Sequence, residues 1–346
     1  LPLIFMNSID QLWILFQTLT FAKVLNSIKL FISFWVSKYL GKSWMWGLPM
    51  SLSIEPTTAC NLGCTECPSG LKSFTRDTGN LKAPLLLKTL DELKGTLSYV
   101  SFYFQGEPYI NPSFLSFVKE ATNRNIYTIT STNAHFISKE VAVLTVESGL
   151  HKLIVSLDGT TQETYEKYRV HGSIDKVLTG IKNVAEAKVK LKISTPIIEI
   201  QYLVTSYNEH QIEEAKALTK EVGADNIVFK TIQVYNFENG NDLLPKNDAY
   251  SRYSKEPSGK YALKNSLDNQ CWKMWNSNVV TWDGKIVPCC FDKDAKYELG
   301  NVNRSSVAEI WRSEPYTKFR KNILMSRKEI DICTNCSEGT TIFKKI

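Results

Sequence analysis

Histidine is scarce in this chain and does not form a metal-binding pattern. The sequence has four histidines and no HExxH motif, which excludes a zinc protease of that class. It has no run of five basic residues, and its net charge of +6 is mild for 346 residues, so no nucleic-acid partner is expected. Hydrophobic residues make up 43% and charged residues 22%, which indicates a folded protein.

The sequence also lacks two features of exported and membrane-spanning chains. Nothing resembles a cleavable secretory signal, and no window of about 18 residues is free of polar side chains. We therefore expect a cytoplasmic protein of about two domains, at ~150 residues per domain. Because thiols stay reduced in the cytoplasm, the eight cysteines favour metal binding. A disulfide framework is the alternative.

Residues 1–45 differ from the rest of the chain. Two apolar runs, Leu12–Phe16 and Leu30–Val36, are separated by polar residues, and four lysines against one aspartate give a net charge of +3. Polar side chains recur at helical spacing at Thr20, Lys23, Ser27, Ser33 and Ser37. The pattern predicts an amphipathic helix at a membrane interface, with lysines toward anionic headgroups. The alternative is a helix packed on the protein's own domain or on a second subunit.

From residue 51 to about 233, short strand-like runs alternate with helical stretches. The predicted strands are Ser51–Glu55, Tyr99–Phe104, Ile126–Thr130, Lys152–Leu157, Ile197–Val204 and Asn226–Thr231. The predicted helices are Leu85–Lys94, Pro112–Asn123, Ser138–Ser148, Ile174–Lys190 and Glu209–Val222. Such alternation predicts a parallel sheet, because parallel strands need helical crossovers. An open partial barrel and a doubly wound sheet both fit the pattern, and both place the chemistry at the carboxyl ends of the strands.

Polar segments do follow the predicted strands. Cysteines follow the first strand, and Gln105-Gly106-Glu107-Pro108 follows the second. Ser131-Thr132-Asn133 follows the third strand, and Ser156-Leu157-Asp158-Gly159 closes the fourth. Because these ends meet at one edge of a parallel sheet, the segments predict a common site.

The first cysteine group is Cys60, Cys64 and Cys67, three thiols within eight residues. They can converge on one metal centre. A structural zinc ion would need a fourth ligand from elsewhere. An iron–sulfur cluster held by three thiolates keeps one iron open to a ligand.

The second cysteine group surrounds a predicted hairpin. It consists of Cys271, Cys289, Cys290, Cys333 and Cys336. The turn Trp282-Asp283-Gly284-Lys285 separates the apolar pairs Val279-Val280 and Ile286-Val287, and a helix is predicted around Val307–Arg320. Four of these thiolates could enclose one metal centre, and their spacing alone fits zinc and an iron–sulfur cluster equally well.

The C-x3-C-x2-C spacing after a first strand resembles the radical S-adenosylmethionine (radical SAM) superfamily, and the resemblance extends over residues 51–233. Gln105-Gly106-Glu107-Pro108 is similar to the family's GGEP segment, which meets the amino group of S-adenosylmethionine. Two positions depart from the family pattern, Gln105 for the first glycine and Glu66 for an aromatic residue. The remaining cofactor-binding residues implied by the resemblance are Ser131, Asn133, Ser156 and Asp158.

The resemblance implies a partial (β/α)6 barrel in which Cys60, Cys64 and Cys67 hold three irons of a [4Fe-4S] cluster. The fourth iron would chelate S-adenosylmethionine. Reductive cleavage would then give methionine and a 5′-deoxyadenosyl radical that abstracts hydrogen from a C–H bond. No catalytic residue is assigned, and reduced flavodoxin or ferredoxin is the expected electron donor.

The C-terminal pattern resembles the SPASM or Twitch module, which holds auxiliary [4Fe-4S] clusters in that family. With five cysteines in place of seven, this chain is similar to a shortened version with one cluster. The implied ligands are Cys271, Cys289, Cys333 and Cys336. Cys290 is left as a packed thiol.

Together these features predict four segments: an apolar helical segment 1–45, a radical SAM domain 46–240, a linker 241–270 and an auxiliary-cluster module 271–346. In the linker, Arg252, Tyr253 and Tyr261 are expected to be surface residues rather than substrate contacts. We expect a net oxidation or crosslink, with electron transfer to the auxiliary cluster. The substrate would be lipid-like or membrane-held, with the enzyme on the inner membrane face. The alternatives are a SPASM-type peptide maturase and a non-catalytic, zinc-stabilised binding protein.

Overall fold

A computed structural model describes residues 9 to 337. Residues 1–8 and 338–346, which belong to the first and last predicted segments, lie outside the described residues. The chain begins with two helices, α1 (Ile9–Thr18) and α2 (Phe21–Leu40). A βα region and a C-terminal region follow.

The βα region alternates as the sequence predicts. Its strands are β1 (Ser51–Ile54), β2 (Tyr99–Ser101), β3 (Tyr127–Thr132), β4 (Lys152–Ser156), β5 (Ile197–Val204) and β6 (Asn226–Thr231). Its α-helices are α3 (Pro68–Leu71), α4 (Ala83–Leu93), α5 (Phe114–Asn123), α6 (Lys139–Glu147), α7 (Gln162–Tyr168), α8 (Ile174–Leu191) and α9 (Ile212–Glu221). Helix α7 is absent from the sequence prediction, because its seven residues are too few to show a helical period.

The six strands β1 to β6 lie in chain order and are all parallel. Right-handed crossovers between neighbouring parallel strands place their helices on one face of the sheet. A doubly wound sheet would reverse its strand order, so this alternative is wrong. The fold is a mixed α/β fold with a parallel sheet. Closure into the predicted partial barrel stays a prediction.

The sheet continues into the C-terminal region, and this continuation is not predicted from the sequence. The C-terminal strands are β9 (Ser277–Val280), β10 (Lys285–Val287) and β11 (Gly300–Asn301), after a separate hairpin of β7 (Tyr253–Lys255) and β8 (Tyr261–Leu263). Strand β9 pairs with β1 in parallel, and β10 and β11 follow antiparallel. The described part of the sheet therefore has nine strands, with the second cysteine group attached at its β1 side.

The two faces of the sheet carry different side chains, because neighbouring residues of a strand point to opposite sides. Leu153 and Val155 of β4 lie in the main core together with side chains of the covering helices. Ile154, between them, points to the other face and packs with Tyr127 and with Leu15 of α1. Helix α1 therefore covers part of the face that is free of crossover helices.

The C-terminal helices differ from the single predicted helix Val307–Arg320. They are α10 (Lys273–Asn276), α11 (Val307–Trp311) and α12 (Glu314–Ser326). Ser313 caps α12 by accepting the backbone N–H of Tyr316, and Pro315 occupies its first turn. A capping serine and an early proline start a new helix, so the prediction of one continuous helix is wrong.

Helix α2 packs on the protein with most of its polar stripe inward, although Thr20 at its start is exposed. Lys23, Ser33 and Ser37 are buried. The Lys23 ammonium donates to the carbonyls of Thr18 at 3.0 Å and Asn125 at 2.5 Å, so this lysine does not point toward headgroups as predicted. The stripe turns inward because backbone carbonyls and N–H groups of the domain satisfy it. Among the described residues, helices of membrane-spanning length and hydrophobicity were not found.

The predicted linker 241–270 is more closely packed than expected. Arg252 and Tyr253 are buried, so the expectation that they decorate the surface is wrong. Tyr253 Oη donates to Asn335 Oδ1 at 2.8 Å and accepts from the backbone N–H of Val234 at 3.2 Å. Tyr261 is partly buried and packs with Tyr253 in a second apolar cluster, which also contains Cys64. The segment therefore connects the regions of the two cysteine groups.

Candidate functional site

The first three cysteines lie on the loop after β1 and line one cavity. Cys60, Cys64 and Cys67 surround an open volume of about 160 Å³. Gly63 fixes the loop by donating its backbone N–H to Val170 O at 2.9 Å. Polar residues from the other strand ends complete the wall, namely Glu107, Ser131, Asn133 and Ser156, together with Arg169 from the segment after Tyr168. The predicted convergence of strand-end segments is thus present in the structure.

Gly106 brings the segment after β2 close to the cysteine loop. Its φ is +74°, and a Cβ atom there would lie 2.3 Å from the carbonyl oxygen of Thr57. Only glycine fits this approach without moving backbone. Its N–H donates to Ser69 Oγ at 2.9 Å, and Gln105 Oε1 accepts from the same hydroxyl at 3.4 Å. Gln105, which replaces the family's glycine, therefore lies against the helix that follows Cys67.

The Glu107 carboxylate is buried and joins two strand ends. It accepts the backbone N–H of Asn133 and the hydroxyl of Thr132, both at 2.7 Å. Burial raises the pKa of Glu107 to about 7, although these hydrogen bonds favour the ionised form. The carboxylate holds the loop after β3 at the cavity, where Asn133 Nδ2 also donates to Asn61 Oδ1 of the cysteine loop at 2.8 Å.

Asp158 has a position different from that of the other predicted residues. It is buried, and its Oδ1 accepts the N–H of Leu203 at 2.7 Å while its Oδ2 faces Arg169 Nε at 2.5 Å. Asp158 is absent from the residues that line the cavity. Its carboxylate holds the arginine, and the arginine reaches the cavity.

Arg169 is the functional candidate that the sequence prediction missed. It follows α7, and its Nη1 lies 3.6 Å from Cys64 Sγ. Burial raises the pKa of Cys64, and the guanidinium opposes this rise. The sequence shows a basic residue eleven positions after Asp158. Because helix α7 was not predicted, nothing in the sequence indicated that this residue returns to the cysteine cavity.

The environment of the thiols fits a positively charged metal centre. Burial raises the pKa of Cys60 to about 11, so its thiolate needs a positive partner. Cysteine thiolates are the ligands that hold iron–sulfur clusters. Three thiols around one cavity therefore suit the donor set of a cluster.

Four of the C-terminal cysteines line a second, narrow cavity. They are Cys271, Cys289, Cys333 and Cys336, in apolar surroundings that include Phe319 and Ile323. Arg327 is buried beside them, with Nη2 3.5 Å from Cys336 Sγ. Cys290 does not line this cavity, and its sulfur lies 3.8 Å from Lys273 Nζ. The structure thus places Cys289 at this cavity and Cys290 outside it, and the assignment of Cys289 as a cluster ligand stays a prediction.

Comparison with known families gives two matches. The family model of the radical SAM superfamily matches residues 54–221, and the SPASM iron–sulfur cluster-binding domain matches residues 271–337. These two ranges contain both cysteine groups. The open question between zinc and iron–sulfur chemistry is therefore answered: the two domains imply a [4Fe-4S] cluster with S-adenosylmethionine and auxiliary cluster binding.

Curated relatives share long stretches with this chain. The chain is 27% identical over 320 residues to a tungsten-containing aldehyde ferredoxin oxidoreductase cofactor-modifying protein of Pyrococcus furiosus, covering 83% of this chain and 86% of that protein. It is 31% identical over 176 residues to the mycofactocin maturase MftC of Mycobacterium tuberculosis. That match covers 51% of this chain and only 43% of the maturase.

The fold is similar to that of a solved structure. The Streptococcus suis protein SuiB bound to S-adenosylmethionine aligns with a TM-score of 0.63 at 17% identity, over 86% of this chain and 74% of SuiB. SuiB bound to its precursor peptide SuiA aligns with a TM-score of 0.62 at 16% identity, over 88% and 74% of the two chains. This likeness concerns the fold alone. On the two family matches, the chain belongs to the radical SAM superfamily and carries a SPASM iron–sulfur domain.

Proposed function

We propose that Cys60, Cys64 and Cys67 hold the catalytic [4Fe-4S] cluster and leave one iron open to S-adenosylmethionine. The observation that carries this proposal is the common cavity of the three thiols. Cluster and cofactor together supply reductive cleavage of the sulfonium and a 5′-deoxyadenosyl radical that abstracts hydrogen from a C–H bond. The protein supplies placement and exclusion of water.

The other wall residues would bind and orient the cofactor. The backbone of Gly106 lies against Thr57 and Ala59, directly before the cysteine loop, where it could meet the amino group of the cofactor. Ser131, Asn133 and Ser156 offer hydroxyl and amide groups to the ribose. Arg169 presents a guanidinium that complements the cofactor's carboxylate. Glu107 and Asp158 act as positioning residues, since their carboxylates are engaged by protein donors.

The second cysteine group would hold one auxiliary [4Fe-4S] cluster through Cys271, Cys289, Cys333 and Cys336. Four thiolate ligands leave no iron open, which suits electron transfer rather than substrate binding. A net two-electron oxidation or crosslink results when the second electron passes to this cluster. Reduced flavodoxin or ferredoxin would supply the first electron. The proposed domain bounds are 46–240 and 271–346, joined by 241–270.

The substrate class has two candidates. A lipid-like or membrane-held substrate, with the enzyme peripheral on the inner membrane face, is supported by the exposed apolar side chains of α1 and α2. A peptide substrate is supported by similarity to a maturase and to a protein solved with a precursor peptide. Deuterium transfer distinguishes them: deuterated lipid extract and deuterated peptide extract are offered separately, and label is sought in 5′-deoxyadenosine. Label from the peptide extract alone would contradict the lipid proposal.

Anaerobic reconstitution tests the chemistry. We expect about eight irons per chain, four for each cluster, and reductive cleavage of S-adenosylmethionine to 5′-deoxyadenosine and methionine. Cys60→Ala should lose about four irons and all cleavage. A Cys60→Ala protein that keeps full iron content and cleavage would disprove the ligand assignment. A chain that binds one zinc and cleaves nothing would disprove the proposed function.

A further inference from the structure

Helices α1 and α2 and the segment after them expose an unusual amount of apolar surface. Of the 21 large exposed hydrophobic side chains in the described part of the chain, 13 lie between Trp13 and Trp46. We call this set the apolar face: Trp13, Phe16, Phe21, Val24, Leu25, Ile28, Phe31, Ile32, Trp35, Tyr39, Leu40, Trp44 and Trp46. Contiguous apolar patches on soluble proteins mark contact with another apolar partner.

The orientation of α2 is fixed by its polar side. Asn26 exchanges two hydrogen bonds with the backbone of Leu48, at 2.8 and 2.9 Å. Ser37 Oγ donates to Trp44 O at 2.9 Å and accepts from Trp275 Nε1 at 3.1 Å. Turning α2 over would break these bonds and leave buried polar atoms unsatisfied, which is costly. The helix is therefore held with its apolar side outward.

The charges beside the apolar face have one sign. Residues 11–54 contain no aspartate or glutamate. Lys29 Nζ lies 5.3 Å above the Trp46 ring, and Lys38 Nζ lies 5.0 Å above the Trp35 ring. Lysine and tryptophan side by side are typical of the lipid–water interface, where the ring meets the headgroup level and the ammonium meets phosphate.

We propose that the apolar face docks on an anionic lipid bilayer, with α2 lying in the interface and Lys29, Lys38 and Lys42 on the headgroups. A second copy of the chain fits less well, because it would bring the same lysines together without acidic partners. The biological role of this docking surface rests on the proposed function, since the surface would bring the enzyme to a membrane-held substrate. Lipid binding itself can be measured without enzyme turnover.

Helix α1 connects this surface to the candidate active site. Trp13 and Phe16 belong to the apolar face, whereas Leu15 packs with Tyr127 of β3. Ile14 packs in the same cluster as Tyr103, and Tyr103 lines the cavity of the first three cysteines. A docked α1 would therefore lie between the bilayer and the wall of the cavity around the first three cysteines.

Vesicle sedimentation of the anaerobically reconstituted full chain tests the proposal. We expect binding to vesicles of equal parts phosphatidylcholine and phosphatidylglycerol, weakening as salt is added. Phe21→Ser, Ile28→Ser and Phe31→Ser combined should weaken binding by about tenfold or more. The matched control combines Leu144→Ser, Val189→Ser and Met325→Ser, which are equally exposed elsewhere, and should bind as wild type does. Lys29→Gln, Lys38→Gln and Lys42→Gln combined should abolish the preference over pure phosphatidylcholine.

A second measurement needs no variant. Brominated phosphatidylglycerol should quench tryptophan emission of the wild-type chain when the indoles of the apolar face enter the interface. Absence of both sedimentation and quenching overturns the proposal. Equal weakening by the control variant also overturns it. A dimer that the serine substitutions dissociate, with no vesicle binding, would assign the face to a second copy. Vesicle binding without cofactor cleavage would refute the proposed chemistry and leave the docking surface intact.

Discussion

Arg169 and the buried Asp158 form an ion pair in which the guanidinium Nε lies 2.5 Å from the carboxylate Oδ2. The pair aims Nη1 of the same guanidinium at Cys64 Sγ, 3.6 Å away. The residue directly after α7, a helix that the sequence analysis does not predict, thus places a positive charge beside a proposed cluster ligand. Asp158, named from the sequence as a cofactor contact, holds the arginine and does not line the cavity.

Removing that charge should lower the reduction potential of the first cluster. A nearby cation favours the reduced, more negative cluster, so Arg169→Gln should shift the potential downward by on the order of 60 mV, tenfold in the reduction equilibrium. The measurement is an anaerobic redox titration followed by electron paramagnetic resonance. Arg124→Gln is the control, since Arg124 pairs with Asp91 and Glu120 away from the cysteines. An unchanged potential in Arg169→Gln would refute the electrostatic role.

The adjacent cysteines Cys289 and Cys290 should behave differently. Cys289→Ser should remove the auxiliary cluster, about four irons per chain, because Cys289 lines the cavity with the other three thiols. Cys290→Ser should keep wild-type iron content, because Cys290 lies outside that cavity. Iron analysis and the cluster absorption band check both variants. The assignment is wrong if the two variants exchange behaviour.

Gly106 should not tolerate a side chain. Gly106→Ala places a Cβ 2.3 Å from Thr57 O at a positive φ, so we expect a loss of about 2 kcal/mol or more of unfolding free energy and of cofactor cleavage. Gly95→Ala is the matched control, since a Cβ there meets nothing within 4 Å. The measurement is the melting temperature of the Gly106→Ala and Gly95→Ala holoproteins. Equal melting temperatures would show that the loop after β2 can move.

His151 should make stability depend on pH. Burial lowers its pKa to about 4 from 6.5, and its Nδ1 accepts the backbone N–H of Thr128 at 3.1 Å. Because the folded pKa lies below the unfolded one, the unfolded chain binds more protons between these values. The stability contributed by neutral His151 should therefore fall as pH decreases from about 6.5 toward 4.

His151→Gln should reduce this dependence, since glutamine does not titrate in this range. Unfolding of wild type and variant is compared between about pH 7 and about pH 5.5. The exposed His210, changed to Gln, serves as control and should leave the slope unchanged. A wild-type slope that persists in His151→Gln would exclude His151 as its source.

The strand pattern was largely predictable, because alternation of apolar runs and helices follows from burial. Strands β5 and β6 have the predicted bounds, and the other four differ by a few residues at their ends. The grouping of the cysteine motif with the segments after β2, β3 and β4 was also predictable, because parallel strands bring their carboxyl ends to one edge of the sheet.

Other features could not be predicted, since they depend on contacts between distant parts of the chain. Pairing of β9 with β1 joins residues more than 200 positions apart, which no local pattern indicates. The burial of Tyr253 depends on Asn335 and Val234. The polar stripe of α2 was visible, but the domain surface that satisfies it was not.

The sequence by itself determined where metal can bind, because the chain has three closely spaced thiols after the first strand and a later group of cysteines. Their spacing alone left zinc and an iron–sulfur cluster open, and the family matches decided between them. Tertiary structure decided which groups act together. It placed Arg169 at Cys64, separated Cys289 from Cys290 and turned the apolar side of α2 outward. Those outcomes depend on which side chains are buried against which neighbours, and that is fixed only when the whole chain has packed.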